Sequence, residues 1–317
     1  MKRIVSFILV LALCLGMCLA FASCGGTDIK VNPDKEHYVV GICQLMRHAA
    51  LDQATEGFKA GLEKALEAAG RTVEFDTQVP GDATLCPTVI TSFTAKDVDL
   101  IMANATPALL SAANATANIP ILGTSVTDYN DTFNNQIPAN VSGTSDAVPF
   151  DEQAQMMIDT LGLKSGDKVG VIYCSSETNS ALQYNAVEEL FTSKGISVSA
   201  YTFSETTELQ AVATAAATEC KAIYVPSDNT VSQNESIVAA AADEANTPVY
   251  TSYGGEICYA SLSIDYYQLG YKTGEMAAKV LLGQQSVTDM EIVTLTPAVS
   301  YNEELCEKLG IQVPKSE

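Results

Sequence analysis

The chain has 317 residues, with 17 Lys or Arg against 38 Asp or Glu, so its formal net charge at pH 7 is −21. A strongly acidic chain does not attract the phosphate backbone of nucleic acid, and it gains no electrostatic binding energy at an anionic membrane surface. The composition therefore excludes nucleic acid as a partner and requires any membrane attachment to come from an apolar segment or a lipid.

The first 23 residues have the three regions of an export signal in their usual order. Lys2 and Arg3 supply the positive charge, an apolar run follows, and the small residues Ala22 and Ser23 precede Cys24. We predict that this segment is a lipoprotein signal peptide and that Cys24 is the lipid attachment site. The alternative is an uncleaved membrane anchor, because the apolar run approaches the roughly 20 residues that span a bilayer.

Removal of 23 of the 317 residues leaves 294, a length that suggests two domains. Residues 24–36 lack apolar periodicity and are predicted to form a tether. The mature chain has 15 basic and 38 acidic residues, a balance of −23. Membrane attachment then depends on the lipid, since a diacylglyceryl group supplies the two chains that stable anchoring needs. The protein is expected on the extracytoplasmic face of the cell membrane.

Six cysteines remain after Cys14, Cys18 and Cys24 are set aside, and none of them forms a C-x-x-C pair. An even number in an exported protein permits disulfides. However, several lie in or beside apolar runs, where a free thiol behaves as a small hydrophobic group. We therefore predict that most of the six are free and buried, with disulfides as the alternative.

From residue 37 onward, short apolar runs alternate with helical patterns, which is typical of βαβ units that build a parallel sheet. In the first half, strands are predicted at 38–44, 73–77, 99–103 and 119–125, and helices at 51–69, 84–96 and 107–116. A polar stretch at 129–149 interrupts this order. In the second half, helices are predicted at 151–161, 179–194, 207–218, 234–245 and 266–282, and strands at 169–174, 198–203, 222–226, 249–252 and 291–295.

The second half repeats the order of the first, so we predict an α/β protein of two similar Rossmann-like lobes. The first lobe is assigned residues 37–128 and 257–285, and the second residues 129–256 and 286–317. Three crossover segments near 128–149, 253–257 and 284–291 would join the lobes, and a ligand cleft would lie between them.

Polar side chains follow most of the predicted strands. In an open parallel sheet, ligands bind at the carboxyl ends of the strands, so these residues are the candidates for a binding site. They are Gln44, His48, Thr106, Asp128, Ser175, Ser176, Glu177, Asn179, Asp228, Asn229 and Tyr253, together with Asp265 before the helix at 266–282.

The candidate residues match the two charged groups of a free amino acid. Hydroxyls at helix starts suit an α-carboxylate, as at Thr106, Ser175 and Ser176, and acidic side chains suit an α-ammonium. The acidic candidates are Glu177, Asp228 and Asp265. Each of these residues is also a favoured helix N-cap, and a capping role is the alternative for any one of them.

Several ordered blocks carry a family resemblance. Residues 44–52 (QLMRHAALD), 173–180 (YCSSETNS), 225–230 (VPSDNT) and 264–270 (IDYYQLG) resemble the recurring blocks of a lipoprotein family of ABC-transporter substrate-binding proteins with tryptophan- and tyrosine-binding members. The resemblance covers nearly all of the mature chain. It implies a periplasmic-binding-protein type I fold, an aromatic amino acid as ligand, an ABC permease as membrane partner, and a monomer.

Enzymatic chemistry is not predicted. The chain has no G-x-S-x-G elbow, no G-x-x-x-x-G-K phosphate loop and no G-x-G-x-x-G fingerprint. With only two histidines and scattered thiols, neither a metal site nor a cofactor is expected. Two alternatives to an amino-acid receptor remain: a nucleoside or sugar receptor of similar fold, and a surface adhesin or sensor that keeps the fold.

Overall fold

The computed structural model describes residues 29–313. The predicted signal peptide, Cys24 and the start of the tether lie outside this range. Among the described residues, no helix combines the length and the apolar character that a membrane crossing requires.

The first lobe is built on a six-stranded parallel sheet in the order β11-β5-β4-β3-β1-β2. Helices cover both of its faces, as an all-parallel sheet requires. The elements from the first half of the chain are β1 (His37–Gln44), α1 (Ala49–Ala68), β2 (Thr72–Gln78), α2 (Cys86–Ala95), β3 (Leu100–Asn104), α3 (Thr106–Ala115), β4 (Ile121–Val126), α4 (Tyr129–Thr132) and β5 (Val141–Ser145).

The second lobe is built on a four-stranded parallel sheet in the order β7-β6-β8-β9. Its elements are α5 (Phe150–Leu161), β6 (Lys168–Cys174), α6 (Thr178–Ser193), β7 (Ser197–Phe203), α7 (Leu209–Glu219), β8 (Ala222–Val225), α8 (Asn229–Gln233), α9 (Glu235–Ala245) and β9 (Val249–Thr251). Each lobe has its own buried hydrophobic clusters on the two faces of its sheet.

The C-terminal part of the chain returns to both lobes. Its elements are β10 (Ala260–Ser263), α10 (Tyr266–Leu281), β11 (Val293–Thr294), β12 (Ala298–Tyr301) and α11 (Glu303–Leu309), and short 3₁₀ turns occur at Ala83–Leu85, Thr206–Glu208 and Val287–Asp289. β10 and β12 pair antiparallel beside the second lobe, whereas α10 and β11 pack on the first.

The predicted two-lobed α/β class is confirmed, and every predicted strand and helix has a counterpart within a few residues. The prediction missed β5, however, because its sequence VSGTS contains no apolar residue after Val141. All five of its residues are nevertheless buried, since they lie inside the sheet between β4 and β11. The strand β5 is therefore buried because of its place inside the sheet, and not because its own residues are hydrophobic.

The strand pairing corrects the predicted lobe boundaries in three places. One is the segment 286–294, which was assigned to the second lobe although β11 pairs with β5 in the first. Residues 129–145, which were assigned to the second lobe, belong to the first, because β5 pairs with β4. Residues 258–263 were assigned to the first lobe, but the Tyr259 N–H donates to the Val249 carbonyl and β10 pairs with β12. The chain therefore crosses between the lobes at about 146–149, at 264–265 and at 295–297.

Two helices of the first lobe pack with almost no space between their backbones. Gly57 and Gly61 of α1 face Gly270 and Gly274 of α10. A Cβ on any of the four glycines would overlap a backbone carbonyl oxygen of the opposite helix. Glycine is required here for close approach, and this contact fixes the returning helix α10 to the lobe formed by the first half of the chain.

The six cysteines of the described residues are all free and buried, as predicted. Cys43 and Cys86 belong to one hydrophobic cluster of the first lobe, and Cys174 belongs to a cluster of the second. Their thiols serve as small apolar groups in the core.

We expect Gly270→Val to destabilise the first lobe by about 2 kcal/mol, because the added side chain must push α10 away from α1. Urea unfolding followed by circular dichroism measures the loss. The control is Glu63→Ala, a change on the exposed face of α1 that should stay within about 0.5 kcal/mol of the wild type. Equal stability of the valine variant and the control would contradict the packing argument.

Candidate functional site

A narrow cavity lies between the two lobes. Six lining residues lie on the first-lobe side and six on the second-lobe side. The first-lobe side is lined by His48, Ala50, Leu51, Ser125, Asp146 and Tyr266. The second-lobe side is lined by Asn179, Ser227, Asp228, Asn229, Ser232 and Tyr253. We call this space the inner cavity.

Four residues of the inner cavity carry buried polar atoms that have no hydrogen-bond partner in the described residues. These atoms are Ser125 Oγ, Asp146 Oδ1, Asn179 Oδ1 and the Tyr253 hydroxyl. Buried polar atoms are almost always paired in folded proteins, because an unpaired one costs about 1–3 kcal/mol. Their concentration around one space indicates that a polar ligand completes their hydrogen bonding.

Two acidic residues line the cavity, Asp146 and Asp228, and only Asp146 has a carboxylate oxygen without a hydrogen-bond partner in the described residues. Asp146 follows β5 and is 6% exposed. Its Oδ2 accepts a hydrogen bond from the Tyr266 hydroxyl at 3.0 Å, whereas its Oδ1 has no partner. Burial raises the pKa of the Asp146 carboxyl above its ordinary value. A buried, half-satisfied carboxylate is a strong acceptor for a cationic group.

The start of α1 supplies the opposite charge. His48 is the N-cap residue, but its side chain makes no capping hydrogen bond. The free N–H groups of the first turn therefore remain available, and two residues of that turn, Ala50 and Leu51, line the cavity. The N-terminus of a 20-residue helix favours anions. The inner cavity thus has an acidic side and a helix terminus suited to an anion.

Backbone strain occurs at the same place. Ser125 lies just before the end of β4 with a φ of 54°, in the left-handed region that non-glycine residues seldom adopt. This conformation accompanies the shift in register between β4 and β5. Strained backbone of this kind is concentrated at functional sites, where the surrounding structure holds it.

Asp228 lines the cavity, but its carboxylate is already satisfied. It accepts hydrogen bonds from the N–H of Cys174 at 2.8 Å, the hydroxyl of Ser180 at 2.8 Å and the N–H of Val231 at 2.9 Å. The residue is fully buried. It therefore caps α8 and connects β6 to α6, which differs from the expectation of a free acceptor for an ammonium group.

Glu177 is likewise engaged inside the second lobe. One carboxylate oxygen accepts from the N–H and side-chain amide of Asn229, and the other from the N–H and hydroxyl of Thr230. The distances are 2.7–2.9 Å. Glu177 thus closes the first turn of α8 and holds Asn229 at the cavity, and it has no oxygen left for a ligand.

Asp128 and Asp265 also act as caps. Asp128 accepts from the N–H groups at the start of α4, and Asp265 accepts from the N–H of Gln268 at the start of α10. Neither residue lines the inner cavity. The capping alternative therefore applies to these two acids, as it does to Glu177 and Asp228.

Four other candidates do not reach the inner cavity. Gln44 is buried in the first lobe, where it donates to the Met46 carbonyl and accepts from Thr55. Thr106 is buried at the start of α3. Both Ser175 and Ser176 are exposed at the end of β6. These four residues lie at or after the ends of strands as predicted, but they do not line the cavity.

The candidates brought together at the cavity are His48, Asn179, Asp228, Asn229 and Tyr253. Sequence reasoning missed Ser125 as a named candidate, and it missed Asp146 and Tyr266. Asp146 follows a strand directly, and the acidic candidates Glu177 and Asp228 also follow strands. It was not found because β5 itself was not predicted.

The lobes contact each other across the cavity. His48 Nε2 lies 3.3 Å from Asn229 Oδ1, and the Gln183 amide donates to the Thr127 hydroxyl at 3.4 Å. Burial lowers the pKa of His48, which favours its neutral form. These contacts hold the lobes in an arrangement that encloses the inner cavity.

Comparison with known proteins agrees with this architecture. The tyrosine-binding protein of Clostridioides difficile strain R20291 is 32% identical over 324 residues, which cover 98% of this chain and 93% of the relative. A Streptococcus pneumoniae domain solved in complex with L-Trp is 27% identical, with a TM-score of 0.79 over 88% of this chain and 96% of that one.

A solved structure from Clostridium difficile is the ligand-free, open form of a substrate-binding protein with adhesive properties. It is 33% identical, with a TM-score of 0.65 over 88% of this chain and 97% of that one. The family model for ABC transporter substrate-binding proteins matches residues 39–316. The chain therefore belongs to the family of ABC transporter substrate-binding proteins.

Proposed function

We propose that this protein is a lipid-anchored, extracytoplasmic receptor that delivers an aromatic amino acid to an ABC importer. The inner cavity binds the amino acid between the lobes, and the closed protein is presented to the permease. No covalent chemistry is required of the receptor. Differential binding energy between open and closed forms drives the closure.

The observation that carries this proposal is the buried carboxylate of Asp146, of which one oxygen has no hydrogen-bond partner in the described residues. A free amino acid has an α-ammonium group, which would complete the hydrogen bonding of Asp146 Oδ1. The α-carboxylate of the same ligand would lie at the uncapped start of α1, where Ala50 and Leu51 line the cavity. Opposite charges on the ligand thus meet complementary groups on the protein.

The aromatic character of the ligand is supported by the apolar part of the wall and by the relatives. The rings of Tyr253 and Tyr266 and the side chain of Leu51 line the cavity, and such surfaces suit an aromatic side chain. One relative is named for tyrosine, and a similar solved structure contains L-Trp.

The lobe arrangement supports a closed receptor. The structure superposes better on the L-Trp complex than on the ligand-free, open structure, with TM-scores of 0.79 and 0.65. Sequence identity is higher to the open protein, at 33% against 27%. A closed arrangement of the lobes would give this order of TM-scores.

We expect the purified, ligand-free protein to bind at least one of tyrosine, tryptophan and phenylalanine in calorimetry. Asp146→Asn should weaken that binding by at least about thirtyfold, equivalent to about 2 kcal/mol or more, because the ammonium group loses its charged partner. The matched control is Asp128→Asn, since Asp128 is a cap outside the cavity and Asn also caps helices. Failure to bind all three amino acids would contradict the proposed ligand class.

We also expect affinity to fall as the pH is lowered. The pKa of Asp146 is raised by burial in the empty protein, and a bound ammonium group would lower it, so binding at acidic pH must release a proton. Affinity is therefore full well above the raised pKa and is lost as the pH falls through it. Titrations at about pH 7.5 and about pH 5 measure the effect, and the residual binding of Asp146→Asn should lack it.

For the anchor, we expect Cys24→Ser to abolish incorporation of labelled palmitate and to release the protein from the membrane fraction. Cys18→Ser is the matched control, because that residue lies within the predicted signal peptide and should leave labelling unchanged. Membrane retention of the Cys24 variant would instead support an uncleaved anchor.

A further inference from the structure

A second space opens from the inner cavity and is much larger, at about 930 Å³ including its open mouth. We call it the outer chamber. It shares five residues with the inner cavity, namely His48, Ala50, Ser232, Tyr253 and Tyr266. Because the inner cavity is small and the two spaces share this wall, a ligand whose charged end lies at Asp146 extends towards the outer chamber.

The outer chamber has carboxylates, which only accept hydrogen bonds, together with hydroxyls, the Gln53 amide and the His48 ring, which can both donate and accept. Its wall contains two carboxylates and several hydroxyls but no Lys or Arg. The carboxylates belong to Glu235 and Glu256, and no salt bridge within residues 29–313 includes either of them. The chamber therefore favours a ligand group that donates a hydrogen bond.

Tyr253 lies at the boundary of the two spaces, and its hydroxyl is buried without a hydrogen-bond partner in the described residues. Ser232 and Glu235 approach this hydroxyl closely enough to act on its pKa, which burial raises. The boundary thus carries a phenol and a carboxylate side by side, close enough to influence each other's pKa, and the carboxylate has acceptor capacity left for a ligand.

The neighbouring loop makes room for the Glu235 carboxylate. Gly255 has a φ of 106°, and a Cβ at this position would lie 2.5 Å from Glu235 Oε1. Only glycine allows this conformation together with this approach. The side chain of Glu235 is held at the boundary by the loop above it, and the half-buried carboxyl has a pKa raised mainly by desolvation.

We propose that Tyr253 and Glu235 form a subsite that contacts the aromatic ring of the amino acid and selects rings bearing a hydrogen-bond donor. The phenol O–H of tyrosine or the indole N–H of tryptophan would pair with these acceptors. The bare ring of phenylalanine would leave a desolvated carboxylate unpaired, and sites of this kind reject the analogue that lacks the donor. This inference rests on the proposed function, because it assumes that the ammonium group lies at Asp146.

The test is calorimetry of the purified protein with tyrosine, tryptophan and phenylalanine, each after removal of bound ligand. We expect the wild type to bind tyrosine or tryptophan at least about tenfold more tightly than phenylalanine. Glu235→Met should reduce this ratio to about threefold or less by weakening only the donor-bearing ligand, with phenylalanine affinity unchanged.

Two further variants keep the test independent of folding problems. Glu244→Met places the same substitution on an exposed position of the same helix α9 and should leave the ratio unchanged. Tyr253→Phe removes a single oxygen and should also lower the ratio. Thermal melting of each variant shows whether it folds.

The outcomes separate the two ideas. Equal binding of all three amino acids by the wild type, or a ratio that survives in both Glu235→Met and Tyr253→Phe, would overturn the ring subsite and leave the proposed function intact. Binding of none of the three would overturn both.

Discussion

The structure depends most on a buried carboxylate that the protein itself does not neutralise. Asp146 lies at the first crossover between the lobes, with one oxygen bonded to Tyr266 and the other unpaired. An unpaired buried charge is costly unless a partner arrives. A cationic ligand would therefore stabilise the closed form more than the open form, because closure removes water from both the carboxylate and the ligand's charge.

The other acids near the cavity have a different role, although they look equivalent in sequence. The carboxylate oxygens of Asp228 and Glu177 accept hydrogen bonds from helix starts and a strand end, and these bonds order the second-lobe wall before a ligand arrives. Such pre-organisation limits the ordering cost of binding. The polar lining therefore divides into groups that build the wall and groups, such as Asn179 and Ser125, that still have atoms to offer.

The hinge and the site are built from the same crossovers. Asp146 is in the first crossover, and Tyr266 begins α10 directly after the second. The glycine contact between α1 and α10 holds Tyr266 and the start of α1 in one rigid lobe. In the closure that we propose, movement of the second lobe would change the position of Tyr253 and Glu235 relative to Asp146 and would couple recognition of the ring to closure.

The sequence by itself determined the order of most strands and helices and the two-lobed class, because periodicity and turn residues are local properties. The helix predicted at 51–69 is observed as α1, and its apolar residues Phe58 and Leu62 are buried. Only the tertiary structure decided which acids are free. Capping and ligand binding use the same residue types after strands, so Asp228 and Asp146 differ only in their neighbours. The strand β5, and with it the position of Asp146, depends on burial between β4 and β11 and not on the polarity of its own residues.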